Sequence, residues 1–119
     1  MPELNERPSI IDVPGGKVIA EHVGRVATGS DTMSVAHMKA PAGWTEPAQR
    51  PDFDEVTVVL TGSVLVEHDA GSTEVGPGQS IVTRAGERVR YSVGPEGAEY
   101  LAVCTPAFAP ETVHREEEA

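Results

Sequence analysis

Few residues in this chain have chemistry to offer, and they are widely spaced. The run Asp52-Phe53-Asp54-Glu55 sets three carboxylates at the start of a stretch rich in Val and Thr. A carboxylate held in an apolar, water-poor cavity has a raised pKa and can move protons near neutral pH. Tyr91 and Tyr100 can donate hydrogen bonds to an oxyanion or enolate. Cys104 is the single thiol, so neither an internal disulfide nor a multi-cysteine zinc site can form. Parity along the strands sets no His beside it, which leaves a Cys–His pair without support. No Gly-x-x-x-x-Gly-Lys phosphate loop is present.

The elements that must carry these residues belong to one small domain. The chain has 119 residues, 39% of them hydrophobic and 24% charged, a composition suited to a single soluble core. Nineteen acidic residues against nine Lys and Arg give a net charge of −10. That balance argues against a nucleic-acid backbone or an anionic membrane as partner. No apolar run is long enough to span a bilayer. The polar N-terminus from Met1 to Pro8 lacks a signal-peptide pattern, so a cytoplasmic protein is expected.

Twelve Gly and ten Pro punctuate the chain and disfavour a helical bundle. Between the turn signals lie short runs rich in Val, Ile and Thr: Lys17 to Val23, Met33 to Lys39, Val56 to Thr61, Ser63 to His68, Ser80 to Arg84, Val89 to Val93 and Glu99 to Thr105. Short strands at such spacing predict an all-β sandwich or barrel. The expected organisation is an N-terminal arm over 1–12, a barrel over 13–108 and a solvated acidic tail over 109–119.

The spacing then resembles that of the cupins. From Gly43, five residues lead to Gln49, then come Pro51, Glu55 and Gly62, in the pattern of the first cupin motif. Gly78, Arg84-Ala85-Gly86, Val89 and Val93 follow the pattern of the second. The resemblance runs from about Lys17 to Pro106 and implies a single-domain cupin (RmlC-like jelly-roll) β-barrel. In cupins these positions hold a metal through three His and one Glu. Here they are Gln49, Pro51, Glu55 and Val89, of which Glu55 alone is a good ligand. The resemblance therefore implies the barrel without its usual metal, and no cofactor is expected. A narrower likeness, to the ethanolamine-utilisation protein Q branch, rests on Asp52-Phe53-Asp54-Glu55, the Gly76-Pro77-Gly78 turn and the final Val103-Cys104-Thr105-Pro106.

The resemblance also implies which side chains face the barrel. Gln49, Pro51, Glu55 and Val89 mark the inner face, and alternation adds Thr57, Val59, Tyr91 and Val93. By likeness to other cupins, Ala36, Met38, Ala40, Tyr100, Ala102 and Cys104 join them, while Trp44 sits at the mouth. His22, His37, His68 and His114 read as surface or interface residues. The candidate catalytic residues are Glu55, Tyr100, Tyr91 and Cys104. The candidate ligand-binding residues are Gln49, Met38, Trp44, Thr57 and Val89.

The expected function is a small-molecule enzyme of isomerase, cyclase or lyase type, with Glu55 moving protons and no metal. A non-catalytic ligand-binding module is the alternative. A weak metal-dependent cupin and an acetate-kinase-like activity are remote ones. Expected partners are a small molecule and a second copy in a homodimer, with no nucleic acid and no membrane.

Overall fold

The computed structural model describes residues 1–117. Seven strands follow one another: β1 (Ser9–Asp12), β2 (Val18–Val23), β3 (Ser34–Ala40), β4 (Asp54–His68), β5 (Gly71–Val75), β6 (Ser80–Thr83) and β7 (Arg90–Thr105). All pairings are antiparallel, in the order β1-β2-β3-β7-β4-β5, with β6 on the same edge of β4 as β5, opposite β7. The all-β jelly-roll expected from the sequence is therefore present.

Two strands carry the architecture. β4 and β7 have 15 and 16 residues and pair along nearly their whole length, from Asp54 opposite Thr105 to Glu67 opposite Arg90. The sequence reads each of them as two strands, broken at Gly62 and at Gly94–Gly97. The chain instead bends there without ending the strand, and the pairing register shifts on either side of Gly62. Gly62 has φ +74°, and a Cβ at this position would collide with the Gly97 carbonyl oxygen. Only glycine fits a left-handed position pressed against a neighbouring backbone. The bend lets one strand serve both halves of the barrel: β6 pairs with Glu55–Val58 and β5 with Val64–His68.

β1 and β5 are strands that the sequence hides. β1 falls in the expected arm yet pairs with β2, burying part of Ile11 and leaving Ile10 exposed. β5, Gly71–Val75, has four exposed residues out of five and is held by its pairing to β4 rather than by its own hydrophobicity.

The core fills one end of the barrel with Val59, Val64, Val66, Val89, Tyr91 and Tyr100. At the other end Phe53, Cys104 and Val113 form a smaller cluster, where the Phe53 and Phe108 rings meet edge-on at 6.0 Å. Val113 belongs to the segment read from the sequence as a solvated tail. As far as Glu116 that segment lies against the barrel instead. Ala109 and Val113 are buried, and backbone bonds join Asp52 N to Thr112 O (2.9 Å) and Glu116 N to Ala48 O (2.8 Å). The acidic composition of its last residues masks these two apolar anchors. Glu118 and Ala119 lie outside the described residues.

Candidate functional site

Three strands lay out the inner face of the barrel in cross-strand rows. Ser34, Cys104 and Glu55 form one row across β3, β7 and β4, followed by Ala36, Ala102 and Thr57, then Met38, Tyr100 and Val59. The last row is bulky and closes the core. The first two are small, and small side chains on facing strands leave space. A cavity of about 340 Å³ opens over them, lined among others by Ala36, Ala102, Cys104 and Glu55. Ile19 of β2 and Phe108 add apolar walls.

The polar lining is compact. Gln49 is carried by a segment whose backbone pairs on one side with Val89 (N–H to carbonyl 2.8 and 2.9 Å) and on the other with Arg115. Its side-chain Oε1 accepts from Arg115 Nε at 3.3 Å. Arg115 Nη2 also donates to Glu46 Oε2 at 3.1 Å. Lys17, on the β1–β2 loop, faces the same space, with Nζ 4.1 Å from the Trp44 ring centroid and 5.5 Å from that of Tyr100. A second cavity of about 480 Å³ lies outside the first, lined by Trp44, Pro14, Gly15 and Pro47. The two share Val13, Lys17, Ile19, Glu46 and Arg115, so three charged and two apolar side chains mark the neck where the cavities adjoin.

Burial sets the proton affinities. It lifts the Glu55 carboxyl from its ordinary value to about 7; the Glu46 charge adds to the rise, while Lys17, Arg115 and a hydrogen bond from Cys104 oppose it. Lys17 is lowered by burial, against the pull of Glu46 and Glu55. The Cys104 thiol and the Tyr91 and Tyr100 phenols are all pushed up, chiefly by burial, and stay protonated at neutral pH. The site thus holds one carboxyl poised to titrate near neutral pH, beside Lys17 and the Arg115–Glu46 ion pair.

The residues expected from the sequence separate into three groups. Glu55, Gln49, Cys104 and Met38 line the inner cavity, and Trp44 lines the outer one. Tyr91, Tyr100, Val89 and Thr57 are nearly fully buried in the wall behind it. The Tyr91 hydroxyl is bound to Thr83 Oγ1 at 3.0 Å. The Thr57 hydroxyl has no hydrogen-bond partner among the described residues. Of the metal positions implied by the motif resemblance, Gln49 and Glu55 reach the cavity, whereas Pro51 and Val89 do not line it. Among the described residues no group of three or more His, Cys, Asp or Glu converges. Lys17, Glu46 and Arg115 are the site residues that sequence reasoning missed. One signal pointed to Lys17: it is one of only two lysines in an acidic chain.

These features define a barrel protein of the cupin fold. An oxalate decarboxylase variant from Bacillus subtilis superposes with a TM-score of 0.77 at 18% identity, over 97% of this chain and 33% of that one. Pac13 of Streptomyces, solved with uridine, gives 0.76 at 12% identity, over 96% and 88%. The EutQ protein of Clostridium difficile gives 0.66 at 18%, over 85% and 73%. No protein-family model matches the chain.

In sequence the chain is similar to the endoribonuclease YbeY of Myxococcus xanthus (strain DK1622), 46% identical over 102 residues. The match covers 85% of this chain and 35% of that protein, so the chain spans about a third of the length of the curated relative it matches. Among the described residues no helix is long and apolar enough to cross a membrane.

The likeness to an endoribonuclease corrects three expectations. The isomerase, cyclase or lyase acting on a small molecule is set aside, as are its small-ligand alternative and the exclusion of nucleic acid. The homodimer expected alongside them finds no support in the structure or its relatives. The charge argument does not settle the matter, for a physical reason. Net charge sums over the whole surface, where Glu3, Glu6, Asp69, Glu74, Glu87 and Glu96 are all exposed, and does not set the local field of one cavity.

Proposed function

We propose that this chain works in RNA processing, as a barrel that takes one unstacked nucleotide of an RNA strand into its cavity in association with endoribonuclease activity. The observation that carries this reading is the 46% identity to an endoribonuclease over 85% of the chain. The match covers a third of that protein, and the reading assigns this barrel the recognition of RNA rather than strand scission.

The geometry supports recognition. RNA is read mainly through single-stranded bases that are splayed out, stacked and hydrogen-bonded on their edges. A cavity of about 340 Å³ lies within the range of sites that enclose small organic groups. Apolar walls suit a base, while Glu55 and the Gln49 amide face its edge. The Pac13 complex with uridine is a barrel of this fold with a nucleoside bound, which supports the scale of the fit. The unit concerned is the barrel of residues 13–108 with its flanking segments, and RNA processing implies a cytoplasmic setting. Within the cupin fold a likeness to the ethanolamine-utilisation protein Q branch rests on Asp52-Phe53-Asp54-Glu55 and the closing Val103-Cys104-Thr105-Pro106.

Fluorescence anisotropy with a labelled single-stranded RNA hexamer and the corresponding duplex tests the reading. The single strand binds and the duplex binds more weakly. Ala102→Leu fills the cavity and abolishes binding while circular dichroism and the melting transition persist. Ala36→Val serves as the milder second variant. Equal binding by the filled variants and the wild type, or no RNA binding by the wild type, overturns it.

A further inference from the structure

Lys17 is unusual among the charged residues of this protein. It is half-buried in the site wall and, among the described residues, forms no ion pair. Its ammonium rests instead over the faces of Trp44 and Tyr100. Cation–aromatic contact offsets only part of the cost of removing an ammonium from water, and burial already lowers its proton affinity. The Glu46 and Glu55 carboxylates both act on it from a distance, but neither forms an ion pair with it, and Glu46 is bound to Arg115 at 3.1 Å. A half-buried cation whose potential partner is already engaged is matched to an anion from outside.

Its position says which anion. Lys17 and Arg115 stand at the neck where the inner cavity opens into the outer one. A nucleotide whose base enters the inner cavity must thread its sugar–phosphate through that neck, and the strand continues over Trp44 and Pro14 in the outer cavity. We propose that Lys17 is the phosphate ligand of the site, binding the phosphodiester attached to the inserted nucleotide. The assignment rests on the RNA reading above and deepens it. A lysine suits the task as a mobile point charge that can leave the rings for a phosphate oxygen.

Linkage-by-linkage neutralisation tests it. A single-stranded RNA hexamer is compared with versions carrying one uncharged methylphosphonate linkage at each position, against the wild type, Lys17→Met and Lys17→Arg. Met keeps an unbranched apolar stem against Trp44, and Arg keeps the charge. In the wild type one linkage is singled out, and its neutralisation weakens binding roughly tenfold. Lys17→Met binds the natural hexamer roughly tenfold more weakly, no longer distinguishes that linkage, and loses about one unit of salt slope. Lys17→Arg restores the sensitivity. If Lys17→Met keeps the wild-type sensitivity, the assignment to Lys17 is wrong while the RNA reading stands. If the wild type binds no hexamer, the RNA reading and this assignment fall together. Lys17→Arg, with its charge retained, covers the case in which Lys17→Met does not fold.

Discussion

Replacing Glu55 by Gln separates the titration of one buried carboxyl from everything else in an acidic protein. Burial in the cavity raises its pKa from 4.5 to about 7, so the folded state holds the proton more tightly than the unfolded chain. The group's favourable contribution is complete below the unfolded value, declines as pH rises between the two, and is gone above 7. At 1.36 kcal/mol per pKa unit, the wild type loses about 2.5 kcal/mol between pH 5 and 8 through this group alone. That figure is a ceiling, because Glu55 keeps some exposure to the cavity and water there eases its ionisation. Glu55→Gln cannot ionise and loses nothing over this range. Urea unfolding of both proteins at half-unit pH steps reads the difference, while the other eighteen acidic residues cancel to first order. The variant gains on the wild type steadily from pH 5 to 7, and the gap then levels off. A pH-independent gap would show that the carboxyl is well hydrated and that the cavity is not the apolar environment deduced from its lining.

Three further outcomes follow from the same geometry. Gly62→Ala forces a side chain into a left-handed position against the Gly97 carbonyl. It costs about 2–3 kcal/mol or more, seen as a fall in Tm by calorimetry. Thr57→Val removes a fully buried hydroxyl that has no partner among the described residues while keeping its shape, and stabilises the fold by about 1 kcal/mol. Cys104, its thiol pushed up by burial and by Glu55, stays unreactive towards Ellman's reagent at pH 8 in the native protein and reacts fully in 6 M guanidinium.

The barrel was legible because its turns are written in Gly and Pro and its strands in Val, Ile and Thr. The two long strands were not. A glycine that bends a strand round a corner looks, in one dimension, like a glycine that ends it, and only the approach of Gly97 distinguishes Gly62. Gln49 and Glu55 could be found because motif spacing pins them to the inner face. Lys17, Glu46 and Arg115 could not, since each comes from a loop or flanking segment whose place at the neck is decided by tertiary contacts. Arg115 was the best hidden, next to Glu116, Glu117 and Glu118 in a stretch whose charge suggests solvent. Val113, two residues earlier, is the apolar anchor that delivers it.

The shared corner of β4 and β7 also governs how the molecule can assemble. The strands are separated by more than twenty residues of chain, yet each supplies part of both ends of the barrel. Neither end therefore closes before distant stretches have found each other, and the loop-closure entropy comes early in the folding reaction. Folding is accordingly slow and all-or-none, and fragments cut between Val75 and Ser80 leave β4 without β7. Such halves recover structure only when mixed, by complementation.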